Sequence, residues 1–346
     1  MKKFYLSSGY LDMRAVLELG VPFIFVIGGR AVGKTYGALQ VCLEDHRKFA
    51  FMRRTQRQLD IINKPEFSPL KPIMRDSGEL YTTKPLASGL AAFLPCRVND
   101  EGDEEISGPP VGITLALSTI SNLRGFDASD LDVLIYDEFI PEKSERPLKN
   151  EADALFNCYE TLNRNRELVG KPPLQMLCLA NANDQASPVL LRLGLLRKLD
   201  RMASTGQELY LDRKRGLAVL LLMNSDISEA KGKTALYKLT EGSDFAEMAL
   251  QNRFAYEERA SICSRPIHEY RPVCMVGEIV VYKHKAERRF YVTTHKLGSP
   301  PSFGIGETEL ARWQRAFGWL WREYMDDRID FEDYACQVLF TRYIGA

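Results

Sequence analysis

The sequence predicts an α/β fold with a central, mostly parallel β-sheet, followed by a smaller α+β domain. In the first half of the chain, short apolar runs alternate with amphipathic stretches, which is the pattern of strand and helix units. The run "FIFVIGGRAVGKTYGALQV", residues 23–41, joins an apolar strand to a helix through a glycine-rich turn. After residue 192 the pattern changes to a basic segment, strand-like runs and two closing helices, which indicates a second domain.

The predicted strands of the first half are short and strongly apolar: residues 23–27, 49–53, 89–95, 112–118, 132–136 and 174–180. Helices are predicted at residues 34–45 and 151–163, with another from Ser187. The pair of strands that flanks the acidic stretch "NDEGDEE" is predicted to form an inserted hairpin. We expect a first domain at residues 1–200, a linker at 201–225 and a second domain at 226–346.

Composition excludes several classes of protein. No apolar run approaches the roughly 18 residues that a membrane-spanning helix needs, so we expect no membrane partner. The seven cysteines are scattered, without a CxxC pair, which argues against structural zinc. The formal net charge is zero, from 46 basic and 46 acidic residues, yet basic residues are concentrated locally, at 47–75 and 192–215. A net charge of zero therefore does not exclude a nucleic-acid partner.

The glycine-rich turn fits the phosphate-binding pattern G-x-x-x-x-G-K-[ST], with an apolar strand before it and a helix after it. Glycines let successive N–H groups surround phosphates, the lysine reaches the β- and γ-phosphates, and the threonine hydroxyl ligates Mg²⁺. The predicted nucleotide-binding residues are Gly28, Gly29, Arg30, Ala31, Val32, Gly33, Lys34, Thr35 and Tyr36.

A second motif, "LDVLIYDEF", lies about 100 residues further on. Its apolar residues predict a buried strand that ends in Asp137, which is placed to hold Mg²⁺, and Glu138 is placed to polarise the attacking water. An aspartate followed directly by a glutamate is the arrangement of ASCE-type ATPases, which carry an extra strand between the two motifs. The chain has no Asn-Lys-x-Asp motif for guanine and no transporter-type signature. ATP and Mg²⁺ are therefore the predicted cofactors, and ATP hydrolysis is the predicted reaction.

Six segments, "FVIGGRAVGKTYG", "FAFMRRTQRQL", "LIYDEFIPEK", "NCYETLNRNREL", "LCLANAN" and "EGSDFAEMALQNRF", occur in a specific order and spacing. In this order the chain resembles the φ29-type encapsidation proteins, the genome-packaging ATPases of small phages and relatives of the large terminase subunits. The resemblance implies that Arg164 is an arginine finger for a neighbouring subunit in a ring. It also implies a catalytic role for Arg124 and a coupling role for Asn181.

The same resemblance implies an RNase H-like second domain. A two-metal nuclease needs clustered carboxylates, and the two strand-like runs after Cys274 contain only Glu278 and Glu287 as acids. We therefore expect a vestigial nuclease without cleavage activity.

The implied partners are double-stranded viral DNA, the portal vertex of a prohead and further copies of the chain in a ring, a pentamer by resemblance. The implied location is the host cytoplasm. Whether a structural packaging RNA is also a partner is left open. A translocating motor holds the DNA backbone, so basic residues are candidate contacts. The candidates for DNA binding are Arg53, Arg54, Arg57 and Lys64. Arg53 and Arg54 also end a predicted strand, so a structural or nucleotide-facing role is an alternative for both.

Two other functions stay open at this point. A helicase or AAA+-like remodelling ring would keep the same site chemistry. A binding module could use the phosphate loop to regulate assembly without turnover, although Glu138 and Arg164 argue against it.

Overall fold

The computed structural model describes residues 4–345 except 88, 124–127, 143–144, 146–147, 149, 183–186, 224–225, 241 and 244–260. The helix predicted within "GSDFAEMALQNRF" lies almost wholly outside these described residues. The chain divides into two units. Unit 1 comprises Met1–Leu193 and Arg201–Ala255, and unit 2 comprises Gly194–Asp200 and Tyr256–Ala346.

Unit 1 is built on a ten-stranded, mostly parallel sheet. Its strands are β1 Phe23–Gly28, β2 Phe49–Arg53, β3 Leu80–Ala87, β4 Leu90–Val98, β5 Glu104–Ile106, β6 Gly112–Ala116, β7 Val133–Asp137, β8 Gln175–Asn181, β9 Leu209–Asp212 and β10 Leu217–Leu222. The order is β3-β4-β6-β2-β7-β8-β1-β10-β9, with β5 paired to β4. The strands from β6 to β10 in this order run parallel, and antiparallel strands flank them on both sides.

Helices connect the strands along the chain. They are α1 Met13–Leu17, α2 Lys34–Glu44, α3 Gln56–Ile62, α4 Lys71–Ser77, α5 Glu151–Asn163, α6 Pro188–Arg192, α7 Leu196–Thr205, α8 Asp226–Gly232 and α9 Ala235–Leu239. Because parallel strands need a crossover connection, their helices cover the sheet and bury its side chains. Strands β7 and β10 are accordingly buried at every position. None of the helices among the described residues is both long and apolar enough to cross a bilayer.

The six strands predicted for the first half are confirmed as β1, β2, β4, β6, β7 and β8. The predicted helices at 34–45, at 151–163 and from Ser187 are confirmed as α2, α5 and α6. The predicted hairpin pair, β4 and β6, is antiparallel, but it extends the main sheet because β6 also pairs with β2. Its strands are therefore part of the main sheet rather than a separate insertion.

The predicted linker at residues 201–225 is wrong. It contains β9 and β10, and β10 pairs in parallel with β1 over the full length of both strands. The run "LAVLLL" is fully buried in the sheet of unit 1. Its apolar residues are thus a core strand, and the division between the units comes near residue 255 instead.

Unit 2 contains a five-stranded sheet in the order β14-β11-β12-β13-β15. Its strands are β11 Tyr270–Val276, β12 Ile279–His284, β13 Phe290–Thr293, β14 Ser302–Phe303 and β15 Ile329–Phe331, and its helices are α10 Glu307–Phe317, α11 Leu320–Met325 and α12 Tyr334–Gly345. The predicted strand-like runs form the antiparallel β11–β12–β13 arrangement. Trp313 of α10 is fully buried and donates to the Cys274 sulfur at 3.3 Å.

Arg54 is a structural residue, so its assignment as a DNA contact is wrong. Its side chain is 1% exposed and makes two hydrogen bonds, at 2.7 and 3.0 Å, to the fully buried carboxylate of Glu151. Tyr136 also donates to Glu151, at 3.1 Å, and Glu145 lies 3.0 Å from Arg54. A guanidinium enclosed in this way cannot reach a DNA phosphate. The ion pair instead joins the end of β2 to the first residue of α5.

Glu151→Ala should destabilise unit 1 by about 3–5 kcal/mol, because it leaves the buried Arg54 charge unpaired. Denaturant unfolding of the purified variant measures this loss. The matched control is Glu105→Ala, which breaks the exposed Arg97–Glu105 pair and should cost no more than about 1 kcal/mol. Equal losses in the two variants would contradict the structural role of Arg54.

Candidate nucleotide site

The carboxyl ends of four parallel strands bring the predicted site residues together. β1 ends at Gly28 and β8 at Asn181, and these two residues are partners in the strand register. β7 lies next to β8, on the side away from β1, and ends at Asp137. β2 lies next to β7 and ends at Arg53. Residues that lie more than a hundred positions apart in sequence therefore meet at one edge of the sheet.

The phosphate loop follows β1 and leads into α2. A Cβ at Gly28 would lie 2.5 Å from the Leu222 Cβ, so only glycine permits the close approach of β1 and β10 here. Gly33 precedes α2 with φ at +89°, in the left-handed region that favours glycine. The first helical residues are Lys34 and Thr35, so the helix N-terminus and its partial positive charge face the loop.

Lys34 is buried, and its ammonium donates three hydrogen bonds. The acceptors are the carbonyl oxygens of Gly28 at 3.1 Å and Gly29 at 2.6 Å, and the Asn181 side-chain oxygen at 3.1 Å. All three acceptors are uncharged, so they offset only part of the cost of burying the charge. Burial accordingly lowers the pKa of Lys34 to about 8. A phosphate group at this position would supply a negatively charged acceptor for the ammonium.

Asp137 is held between a hydroxyl and a guanidinium. The Thr35 hydroxyl donates to its carboxylate at 3.1 Å, and Arg53 lies 3.1 Å from its second oxygen. Burial raises the pKa of Asp137, against the opposing effect of Arg53. The Thr35 and Asp137 oxygens are thus adjacent hard donors of the kind that Mg²⁺ prefers.

Glu138 occupies a strained backbone position directly after β7. Its φ is +56°, which is uncommon for a residue other than glycine and is typical of functional sites. The next residue fixes the turn, because Phe139 is fully buried and its N–H donates to Leu179 of β8 at 3.2 Å. The Glu138 carboxylate is half exposed and forms an ion pair with Arg53.

These residues line a cavity of about 840 Å³, within the range of small-molecule and cofactor sites. Of the predicted residues, the lining contains Arg30, Ala31, Gly33, Lys34, Thr35, Tyr36, Asp137, Glu138 and Asn181. Val32 is instead buried in the core, and Gly28 and Gly29 contribute through the carbonyl oxygens that hold Lys34. The structure therefore brings together most of the predicted nucleotide and metal residues.

Sequence reasoning missed the other end of this cavity. Leu6 and Tyr10 line it from the N-terminal segment, and Pro72 and Asp76 line it from α4. Lys231 of α8 was also missed, and its ammonium donates to the Arg30 carbonyl oxygen of the loop at 2.8 Å. These residues belong to no recognised motif, and only the fold brings them to the loop.

Arg53 is largely buried and forms ion pairs with Asp137 and Glu138, which favours the nucleotide-facing alternative over a DNA contact. Arg57 and Lys64 lie on and just after α3 and are exposed, so they remain accessible. Arg124 lies outside the described residues.

Arg164 lies far from the phosphate loop of its own chain. It caps the C-terminus of α5, whose 13 residues span about 20 Å. Two residues after Arg164, the Arg166 guanidinium donates a hydrogen bond to the carbonyl oxygen of Leu131, which lies just before β7. Asp137 lies at the opposite end of that strand. The cap of α5 and Asp137 therefore lie at opposite edges of the sheet, roughly 20 Å apart. An arginine side chain is far too short to cross that distance.

Comparison with known proteins identifies relatives of this chain. Residues 105–275 match the model of the podovirus DNA encapsidation protein family. The chain is 25% identical over 247 residues to the DNA packaging protein of Bacillus phage phi29, an alignment that covers 70% of this chain and 64% of that protein. The chain resembles the podovirus DNA encapsidation proteins. The resemblance predicted from the motifs is thus confirmed, although the alignment spans less than two thirds of the phi29 protein.

Two solved structures share the fold. The Phi-28 gp11 DNA packaging motor matches with a TM-score of 0.65 and 17% identity, covering 98% of this chain and 99% of the other. The bacteriophage Phi-29 packaging motor assembly matches with a TM-score of 0.65 and 18% identity, over 97% and 99% of the two chains. The fold similarity therefore extends over nearly the whole chain.

The lowered pKa of Lys34 predicts a pH dependence of nucleotide affinity. Below about pH 8 the lysine is protonated and can bind phosphate, whereas above it the free protein loses this charge. Affinity for a nucleoside triphosphate should then fall by up to about tenfold per pH unit. Titration calorimetry from about pH 7 to about pH 9.5 measures it.

The control for this measurement is Lys34→Arg, because a guanidinium stays charged throughout this range. Its affinity, even if weaker overall, should not change with pH. A flat profile for the unmodified protein would contradict the assignment of Lys34 as the phosphate ligand.

Proposed function

We propose that this chain is an ATP-driven motor that moves double-stranded viral DNA into an empty capsid. The observation that carries the proposal is the convergence of Lys34, Thr35, Asp137 and Glu138 at one sheet edge in a chain that resembles encapsidation proteins. The first three residues can hold a nucleoside triphosphate and its metal, and the fourth can act on water. ATP hydrolysis is the reaction that this set of residues supports best.

The residues present fit a magnesium ion. The Thr35 hydroxyl and the Asp137 carboxylate are adjacent oxygen donors, and the raised pKa of the buried Asp137 indicates a carboxylate that a cation would stabilise. When bound, Mg²⁺ would neutralise charge on the β- and γ-phosphate oxygens. Lys34 would bind the same phosphates, and Asn181 would orient the Lys34 ammonium through their hydrogen bond.

Glu138 is the proposed general base for the attacking water. Its carboxylate reaches the cavity but is paired with Arg53, so this ion pair must open before Glu138 can accept a proton from water. Because Arg53 also contacts Asp137, it positions both carboxylates. Arg53 is therefore a positioning residue in this proposal.

Arg164 is the proposed arginine finger, and it acts in trans. Its distance from the phosphate loop of its own chain supports this role, since only another copy can place it near a γ-phosphate. The proposal therefore requires a homo-oligomeric ring, a pentamer by resemblance, that encloses DNA and docks on the portal vertex of a prohead in the host cytoplasm. Arg124 remains a proposed catalytic residue, and Arg57 and Lys64 remain proposed DNA contacts.

Unit 2 is proposed to be an RNase H-like module without nuclease activity, and the RNase H-like assignment rests on the resemblance alone. The loss of cleavage is supported by the ion pairs of its carboxylates. Asp330 is buried between Arg265 and Arg289, at 3.0 and 2.9 Å. Glu332, Asp333 and Cys336 lie close together, but Arg197 contacts all three. These carboxylates are thus paired with arginines, whereas a two-metal site needs carboxylates that are free to bind the ions.

The decisive test of the proposed function is a packaging assay. The purified chain is mixed with ATP, the phage genome and empty proheads, and DNA protected from an added nuclease is measured. ATP-dependent protection is expected. Strand separation of a forked DNA without any protection in this assay would favour the helicase reading and overturn the packaging proposal.

Glu138→Gln should bind ATP with nearly unchanged affinity and lose hydrolysis, because an amide cannot take a proton from water. A loss of at least about a hundredfold in phosphate release is expected. The control is Glu160→Gln, an exposed position on α5, which should keep normal turnover. Normal turnover in Glu138→Gln would place the general base elsewhere.

The chain should not cut DNA. Plasmid incubated with the protein and Mg²⁺ or Mn²⁺ should stay supercoiled, because Asp330, Glu332 and Asp333 are paired with arginines. Asp330→Asn provides the control for contaminating nuclease. Cleavage that disappears in this variant would contradict the vestigial assignment.

A further inference from the structure

The loop that follows Arg164 carries two apolar side chains on its surface. We name residues 164–172 the finger loop. Within it, Leu168 is 84% exposed and Val169 is 69% exposed. Exposed apolar residues at adjacent positions are typical of an interaction surface when the loop that carries them is fixed. The question is therefore whether the finger loop is rigid.

Hydrogen bonds fix the finger loop at both ends and across its middle. The buried Asn163 accepts from the Leu174 N–H at 2.8 Å, which joins the two ends. Arg166 donates to the Pro172 carbonyl oxygen at 3.1 Å and accepts from the Lys171 N–H at 2.9 Å. The Val169 N–H donates to the carbonyls of Asn165 and Arg166. The hydrogen bonds thus fix the backbone of the loop with its apolar tip exposed, so docking would cost little further backbone entropy.

The distance between the tip and Arg164 limits where the tip can dock. Leu168 lies four positions after Arg164, which is at most about 14 Å of chain. If Arg164 reaches the γ-phosphate of a second copy, the tip must contact that copy near the opening of its nucleotide cavity. Leu6 and Tyr10 line this cavity and are large apolar residues with nearly half of their surface exposed. We name these two residues the receiving patch.

Charge favours the same pairing. The finger loop contains three basic residues, Arg164, Arg166 and Lys171, against one acid, Glu167. The cavity lining contains four carboxylates, Asp76, Asp137, Glu138 and Glu142, which Arg30 and Lys34 of the lining and the adjacent Arg53 and Lys231 balance. Bound nucleotide would make the charge of the cavity negative. A basic loop with an apolar tip therefore matches a nucleotide-loaded cavity with an apolar margin.

We propose that Leu168 and Val169 of one copy dock on Leu6 and Tyr10 of the next, and that this contact seats Arg164 at the neighbour's nucleotide. The inference rests on the proposed function, since it takes Arg164 as a finger in trans. The two surfaces differ and lie on opposite edges of the sheet, so the contact is head-to-tail. Contacts of this kind generate closed rings or open filaments, whereas a self-complementary contact stops at a dimer.

Cross-linking tests this arrangement directly. In a Cys263→Ser background, which removes the one cysteine of the seven that is partly exposed, Leu6→Cys and Val169→Cys are combined. A short bismaleimide is added with a non-hydrolysable ATP analogue. A ladder of linked copies longer than two is expected, because each chain carries both partners of the contact. Each single variant should remain monomeric on the denaturing gel.

Two results would overturn the inference. The first is the absence of a ladder in the double variant. The second is a dimer formed by Val169→Cys alone, which would mean that the tip meets its own copy. Failure of the proposed function is distinguishable, because it would appear as a lack of ATP turnover in the unmodified chain whatever the gel contains.

A second variant measures the energetic role of the tip. Leu168→Asp with Val169→Asp should raise the protein concentration needed for half-maximal turnover per subunit by roughly tenfold or more. ATP affinity should not change, because the tip lies far from the phosphate loop of its own chain. The matched control is Leu239→Asp, an equally exposed leucine on α9. Equal effects in both variants, or no effect of the tip variant, would contradict a docking role.

Discussion

The buried carboxylate of Asp137 is the constraint on which the site depends. A charge at the end of a central strand is costly unless cationic or hydrogen-bonding groups surround it. Thr35 and Arg53 supply these groups from α2 and β2. The contacts therefore join the phosphate loop, β7 and β2 into one assembly. Arg53 extends this assembly to Glu138, so one guanidinium fixes the proposed metal ligand and the proposed base together.

The phosphate loop and the Asp137–Glu138 pair were predictable because each follows an apolar run, and parallel strands place their carboxyl ends on one edge. Asn181 was assigned from the family resemblance. Lys34, Thr35, Asp137 and Asn181 accordingly meet in the structure. The roles of Arg53 and Arg54 could not be separated by sequence, since adjacent residues at a strand end point to opposite faces. One faces two carboxylates of the site and the other enters a buried ion pair.

The errors in domain organisation have a similar physical origin. A basic segment before "LAVLLL" resembles a linker by composition, and only the pairing of β10 with β1 makes it part of the sheet. Strand pairing between residues almost two hundred positions apart leaves no local signal in a sequence. The apolar end of the nucleotide cavity was missed for the same reason. Local patterns therefore predict elements well, and non-local contacts decide which unit each element joins.

In the proposed ring one copy completes the site of another, because Arg164 caps α5 roughly 20 Å from Asp137 of its own chain. Mixing Arg164→Ala with Glu138→Gln tests this most directly, by phosphate release from oligomers verified to contain both variants. Each variant alone should be nearly inactive. In mixed oligomers some interfaces pair an intact Glu138 with an intact Arg164, so partial turnover should return. Mixed oligomers that stay as inactive as either variant alone would contradict the claim.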